Sequence, residues 1–218
     1  MESMRHAIFD LDGTLIDSLP GIAWSVERAL AECGLPPLTV DLKPLIGPPI
    51  RSILATVTGL ADAPALDRLE RAFRMSYDTE GWRKTTCYEG VAAMLRRLAA
   101  GGIGLWVVSN KPRHAALRIL RELELDGFFR EIVCPDSHAP RYVSKAECLI
   151  GLLNRHSLSS RECLLIGDTR EDAEAAAAAG IGCAIVEHGY GGPDIQAARV
   201  SFRNLFEEVA PSEYAARD

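Results

Sequence analysis

The sequence predicts an α/β protein, a doubly wound parallel sheet with a helical domain inserted after its first strand. Three observations predict it. Residues 5–10 form a short apolar strand that ends in aspartate. No convincing strand follows between residues 18 and 82, where the apolar spacing is helical throughout. From residue 89 strand-like and helix-like runs alternate with short connections, the pattern of a parallel sheet with crossover helices.

In chain order, "GIAWSVERALAECG" places Ile22, Val26, Ala29, Leu30 and Cys33 on one helical face, with Gly34, Pro36 and Pro37 as the stop. "IRSILATVTG" and "PALDRLERAFRMSY" predict two further helices, with faces Ile50, Ile53, Leu54, Val57 and Leu66, Leu69, Phe73, Tyr77. Beyond them, helix "EGVAAMLRRLAAGG" leads to strand "IGLWVVSN", and helix "PRHAALRILRELEL" to strand "EIVC". Helix "SKAECLIGLLNR" leads to strand "CLLIGD", and helix "REDAEAAAAAG" to strand "IGCAIVEHG". The first strand needs this sheet, so residues 1–17 and 83–218 are expected to form the core and residues 18–82 a helical cap. Only the terminal "SEYAARD" reads as a disordered run.

A chain of 218 residues suits one medium domain, or a domain with a sizeable insert. Its net charge of −6 and its lack of a basic cluster argue against a nucleic-acid surface. No apolar stretch is long enough to span a bilayer and the start lacks a signal-peptide pattern, so a cytoplasmic protein is expected, as monomer or homodimer. The six cysteines include no Cys-x-x-Cys pair and mostly sit in apolar runs, as reduced core thiols would.

The chemistry concentrates where strands end, because ligands of an open parallel sheet gather at the carboxyl edge near the switch point. Those ends read Asp10 and Asp12, then Ser109-Asn110, then Gly167-Asp168, with Lys145 at a helix start between the last two. Two like charges as close as Asp10 and Asp12 repel and resist burial, so a cation is expected beside them. Mg²⁺ takes oxygen ligands, commonly one or two carboxylates plus substrate phosphate, and Asp10 and Asp168 are the natural pair. A carboxylate can attack phosphorus, and a second one on the same side of an extended chain, Asp12, can protonate the leaving oxygen and then activate water. Gly13 permits the sharp turn. Thr14, Ser109 and Asn110 supply donors to the phosphoryl oxygens, and Lys145 offsets their charge. Together these residues predict a phosphate site.

On these residues the chain resembles the haloacid dehalogenase superfamily of phosphatases, in the branch with a helical cap after the first motif. "DLDGT" is similar to the first motif, "VVSNK" to the second, and "LLIGDTREDAEAAAAAG" to the acidic fourth, in the right order across nearly the whole chain. The third-motif lysine is followed by alanine, in "VSKAEC", where many relatives have proline. The resemblance implies that Asp10 is the nucleophile and Asp12 the acid/base. It implies that Asp10, the backbone carbonyl of Asp12 and Asp168 bind Mg²⁺, and that Asp172 supports the metal through water or holds Lys145. Within the superfamily the chain is most similar to phosphoglycolate phosphatases, by "LIGPPI", "SNK" (which adds Lys111 to the substrate residues) and "HGYG".

Blander readings stand beside these. Asp10-x-Asp12-Gly can be a turn whose aspartates bond their own backbone, and "TRED" and "SKAE" both fit capping boxes. Lys145 fits that reading less well, since a cation in a first helical turn opposes the macrodipole. Alternative activities are a phosphosugar mutase, or a pyrophosphatase or nucleotide phosphatase of the same superfamily. A phosphoacceptor switch or a metabolite-binding module is the non-enzymatic alternative. In the cap, Gly47 and two prolines predict a rigid turn facing the phosphate, beyond which Arg51 is expected to reach an anionic substrate.

Overall fold

The computed structural model describes residues 4–191 and 198–200; the "SEYAARD" terminus lies outside them. The first strand, β1 (His6–Phe9), leads to a tight turn and to the two-residue strand β2 (Ile16–Asp17). Three helices follow: α1 (Leu19–Cys33), α2 (Ile50–Thr58) and α3 (Ala63–Thr79). Each stops or starts where the sequence carries a signal. Gly34 and Gly59 adopt left-handed φ of 70° and 66° as C-caps, and the Asp62 carboxylate caps α3 by accepting from the Ala65 amide.

The chain returns through β3 (Thr86–Cys87), which pairs antiparallel with β2, so the two connections of the helical block form one small ribbon. This ribbon was not legible in the sequence, because a two-residue strand has no periodicity to read. The core then alternates α4 (Val91–Ala100), β4 (Gly104–Val108), α5 (Arg113–Glu122), β5 (Glu131–Val133), α6 (Lys145–His156), β6 (Cys163–Gly167), α7 (Arg170–Ala179), β7 (Gly182–Val186) and β8 (Ala198–Val200).

The main sheet is parallel with order β5-β4-β1-β6-β7-β8. Its central strands are buried on both faces. Ala7, Phe9, Leu105 and Val107 join the cluster that continues under α1 and α3, while Ile8, Trp106 and Val108 pack with Leu149 and Ala176 of α6 and α7. Since β1 lies between β4 and β6, the segments that follow these three strands leave the sheet side by side. The register of Phe9 with Val107 and Ile166 sets them level.

Candidate active site

Three strand ends and one helix start build the site. The Asp10 amide donates to the Ile166 carbonyl and the Ser109 amide to the Val133 carbonyl, so each loop leaves the sheet from a fixed point. Beyond Asp10 the chain reverses: Gly13 takes φ 87° and its amide donates to the Ile16 carbonyl. Lys145 opens α6 behind its N-cap Ser144 and reaches Asp10, just beyond the end of β1.

The centre is a buried cluster of charge. The Lys145 ammonium lies 2.7 Å from Asp10 Oδ1 and 2.6 Å from Asp172 Oδ1. Asp10, Asp168 and Asp172 bring carboxylate oxygens within 4.8 Å of one another, all buried. Burial alone would favour a neutral amine at Lys145, but the two carboxylates outweigh it and hold the group charged. Burial pushes the Asp10 carboxyl well up; Lys145 opposes the rise, and Asp172 and Asp168 add to it. Asp168 is pushed up to about 7, first by burial and next by Asp172. Burial acts on Asp172 too, yet Lys145 and the Thr169 donors bring it below the usual range.

Three carboxylates around one ammonium leave two uncompensated negative charges when all are ionised. Hard oxygen donors with that charge deficit fit a divalent cation such as Mg²⁺. Asp172 is the least available of the three. Its Oδ2 accepts from the amides of Asp168 and Thr169 and from the Thr169 hydroxyl, and its Oδ1 meets Lys145. It therefore caps α7 and positions Lys145 at once, which joins the two readings of "TRED".

Asp12 faces a different partner. Lys111 Nζ lies 2.8 Å and 3.1 Å from its two oxygens and sits over the Tyr77 ring of α3, 4.9 Å from the centroid. Lys111 thus spans from the core to the helical block. Ser109 is buried, and its hydroxyl oxygen accepts from the Lys111 amide.

Other predicted side chains are oriented otherwise. Thr14 directs its hydroxyl to Asp168 Oδ1 at 3.1 Å, so it orients that carboxylate instead of donating to a phosphoryl group. The Asn110 amide donates to the Gly47 carbonyl and to Glu171 at 2.8–2.9 Å, committing both of its protons away from a phosphate. Arg51 does not reach the cleft: its guanidinium turns to Asp67 and Glu70 on α3, an acidic pair one helical turn apart that outcompetes open solvent. The turn preceding it does face the core, and Gly47, Pro48 and Pro49 line the cleft.

Tyr190 was missed. Its amide donates to Asp168 Oδ2 at 2.7 Å, while its hydroxyl donates to Asp17 Oδ1 and accepts from the amides of Ser18 and Leu19. The buried residue ties the Asp168 carboxylate to the start of α1. The signal available was "HGYG" at the end of a strand, but a contact spanning 172 residues leaves no local pattern. The cysteines form no disulfides, and burial pushes the Cys148 thiol up to about 12, away from a thiolate near neutral pH.

The turn glycine yields a direct expectation. A Cβ on Gly13 would collide with the Asp168 carboxylate and the Tyr190 ring, and φ 87° strains any side chain. Gly13→Ala should therefore lower stability by about 1–3 kcal/mol or more and remove activity. Gly59→Ala, at φ 66° with no atom within 4 Å, isolates the backbone part of that cost. Thermal melts of the two variants that coincide would refute the steric account.

Comparison with known proteins agrees with this geometry. The haloacid dehalogenase-like hydrolase family matches residues 7–186. A phosphoglycolate phosphatase of Pseudomonas putida is 32% identical over 192 residues, covering 85% of this chain and 70% of that protein. A 5'-nucleotidase of Pseudomonas aeruginosa is 32% identical over 190 residues, 87% of this chain and 85% of the other. The solved haloacid dehalogenase-like hydrolase from Streptococcus pneumoniae superimposes with a TM-score of 0.84 at 25% identity, covering 95% of this chain and 99% of that one. By sequence match, sheet order and the cluster at the strand ends, the chain belongs to the haloacid dehalogenase-like hydrolases.

Proposed function

We propose that this chain is a Mg²⁺-dependent phosphatase that hydrolyses a small phosphorylated metabolite through an aspartyl-phosphate on Asp10. The observation that carries the reading is the pairing of Lys145 with Asp10 Oδ1 inside a buried triad of carboxylates. That pairing engages one oxygen and leaves Oδ2 to attack phosphorus. The bond from phosphorus to the leaving oxygen breaks, and Asp12 gives that oxygen its proton. Asp12 then takes a proton from the water that attacks phosphorus, releasing phosphate and restoring Asp10. Lys111 grips both oxygens of Asp12 and so fixes its direction. The Ser109 hydroxyl, whose oxygen accepts from the Lys111 amide, keeps its proton to donate to the phosphoryl group. Asp10, Asp168 and the backbone carbonyl of Asp12 would hold Mg²⁺, with Asp172 behind them. The ion would supply charge neutralisation at the phosphoryl group.

Residues 18–82 act in this reading as a lid that keeps the site dry for attack. The paired ribbon at its two connections and the Asn110–Gly47 hydrogen bond support that role. The phosphoglycolate phosphatase relative suggests 2-phosphoglycolate as substrate, and the 5'-nucleotidase relative a nucleoside monophosphate. Arg141, which lines the cleft and whose side chain has no hydrogen bond or ion pair among the described residues, is the cation at which a carboxylate-bearing ester would have to be recognised.

Phosphate release from a panel of phosphorylated metabolites with Mg²⁺ tests the reading. Chelation should abolish turnover. Ca²⁺ should fail to replace Mg²⁺ and should inhibit, because it takes more ligands at longer range and engages both oxygens of Asp10. Activity that survives thorough chelation, or equal turnover with Ca²⁺, would sink the claim.

A further inference from the structure

Beside the carboxylates lies a cavity of about 300 Å³ between the helical block and the core. Asp10 and Asp12 open into it, so whatever leaves from phosphorus must occupy it. Much of its wall is apolar: Ile22, Ile46, Ile53, Phe73 and Ala115 are buried, and Ile50 at the start of α2 is half-buried. The Phe73 and Tyr77 rings stack at 14° with centroids 5.4 Å apart, and both line the cavity, so α3 contributes aromatic surface to it.

Two of the cations that line this cavity are spoken for. Lys111 is committed to Asp12, and Arg74 to Glu70 at 2.6 Å. Arg141 is exposed, so it stands at the solvent side and not among the buried walls. A carboxylate seated against those walls would lose its hydration with no unpaired cation to replace it, which is strongly unfavourable. An uncharged ring would instead gain by leaving water and lying against the aromatic face.

We propose that the leaving group is an uncharged, ring-bearing alcohol, and that the apolar wall from α1, α2 and α3 selects it over small anionic alcohols such as glycolate. This rests on the phosphatase reading above and names the substrate class of that same site. The reaction balances as ordinary hydrolysis: the ester P–O bond breaks, water supplies the new oxygen on phosphorus, and the alcohol departs with a proton.

The test compares kcat/KM for three alkyl esters with Mg²⁺: benzyl phosphate, ethyl phosphate and 2-phosphoglycolate. Benzyl phosphate should exceed each of the others by about tenfold or more, since filling an apolar pocket is worth roughly that per added group. Ile50→Glu places a carboxylate in the wall at a first helical turn, where an acid suits the helix. It should cut the benzyl-to-ethyl ratio about tenfold, and because a ratio is read on one preparation, loss of folded protein cancels. Preference for 2-phosphoglycolate would overturn the inference, place recognition at Arg141, and leave the phosphatase reading standing. Equal rates for benzyl and ethyl phosphate, or a ratio unmoved by Ile50→Glu, would overturn it as well. No turnover of any ester would bring down the phosphatase reading and this inference together.

Discussion

Asp10→Asn should abolish phosphate release while leaving the fold intact and, without divalent metal, no less stable than the wild type. The amide cannot form the acyl-phosphate, so the loss should be on the order of a thousandfold or more. Stability follows a separate argument. Burial and the neighbouring Asp172 and Asp168 make a charge at position 10 expensive, while Lys145 alone opposes them. Removing that charge does not orphan the ammonium, since Lys145 keeps Asp172 at 2.6 Å. The order should reverse in Mg²⁺. A ligand bound only by the folded state stabilises by about 2.7 kcal/mol at a hundred times its Kd, and the variant, one carboxylate poorer, forfeits part of that gain. Melts with and without Mg²⁺ measure both halves. An Asp10→Asn protein that kept more than a small fraction of wild-type turnover would rule out the aspartyl-phosphate route.

The elements of this fold were legible because their signals are local. Apolar periodicity, Gly34 and Gly59 after helices, and Asp62 and Ser144 before them fix most boundaries to within a few residues. The cluster of Asp10, Lys145, Asp168 and Asp172 was legible too, because a parallel sheet brings strand ends together whatever lies between them. Side-chain aim was not. Arg51, Asn110 and Thr14 have residue types that suit a phosphate, but each is claimed by a neighbour from another element: Asp67 and Glu70, Gly47 and Glu171, and Asp168. Spacing says which residues reach the edge of the sheet, whereas competition among partners decides where their polar atoms point. Tyr190 shows the same limit, since its contacts at Ser18 and Leu19 depend on the assembled site.

The second large effect is expected at Lys145. Lys145→Met keeps much of the side chain's bulk but removes the ammonium from between Asp10 and Asp172, leaving three buried carboxylates within 4.8 Å of one another and no cation among them. Deleting one partner of a buried pair costs about 3–5 kcal/mol, because the remaining charge is desolvated and unpaired. Turnover should fall steeply as well, since nothing then fixes Asp10 Oδ1 or offsets the phosphoryl charge. The pH dependence has a definite sign. In the wild type Lys145 holds Asp172 below its usual range, so Asp172 contributes stability above the ordinary carboxylate pKa and loses it as pH falls. Without the ammonium, burial and mutual repulsion raise the carboxylates instead, and groups raised in the folded state lose stability as pH rises. The deficit of Lys145→Met should therefore be largest near neutral pH and shrink toward pH 5. Mg²⁺ should recover part of it by supplying positive charge to the same oxygens. A variant as stable as wild type at pH 7 in chelator, or one whose deficit grew on acidification, would show that the Lys145 pairing is not what makes this buried cluster tolerable.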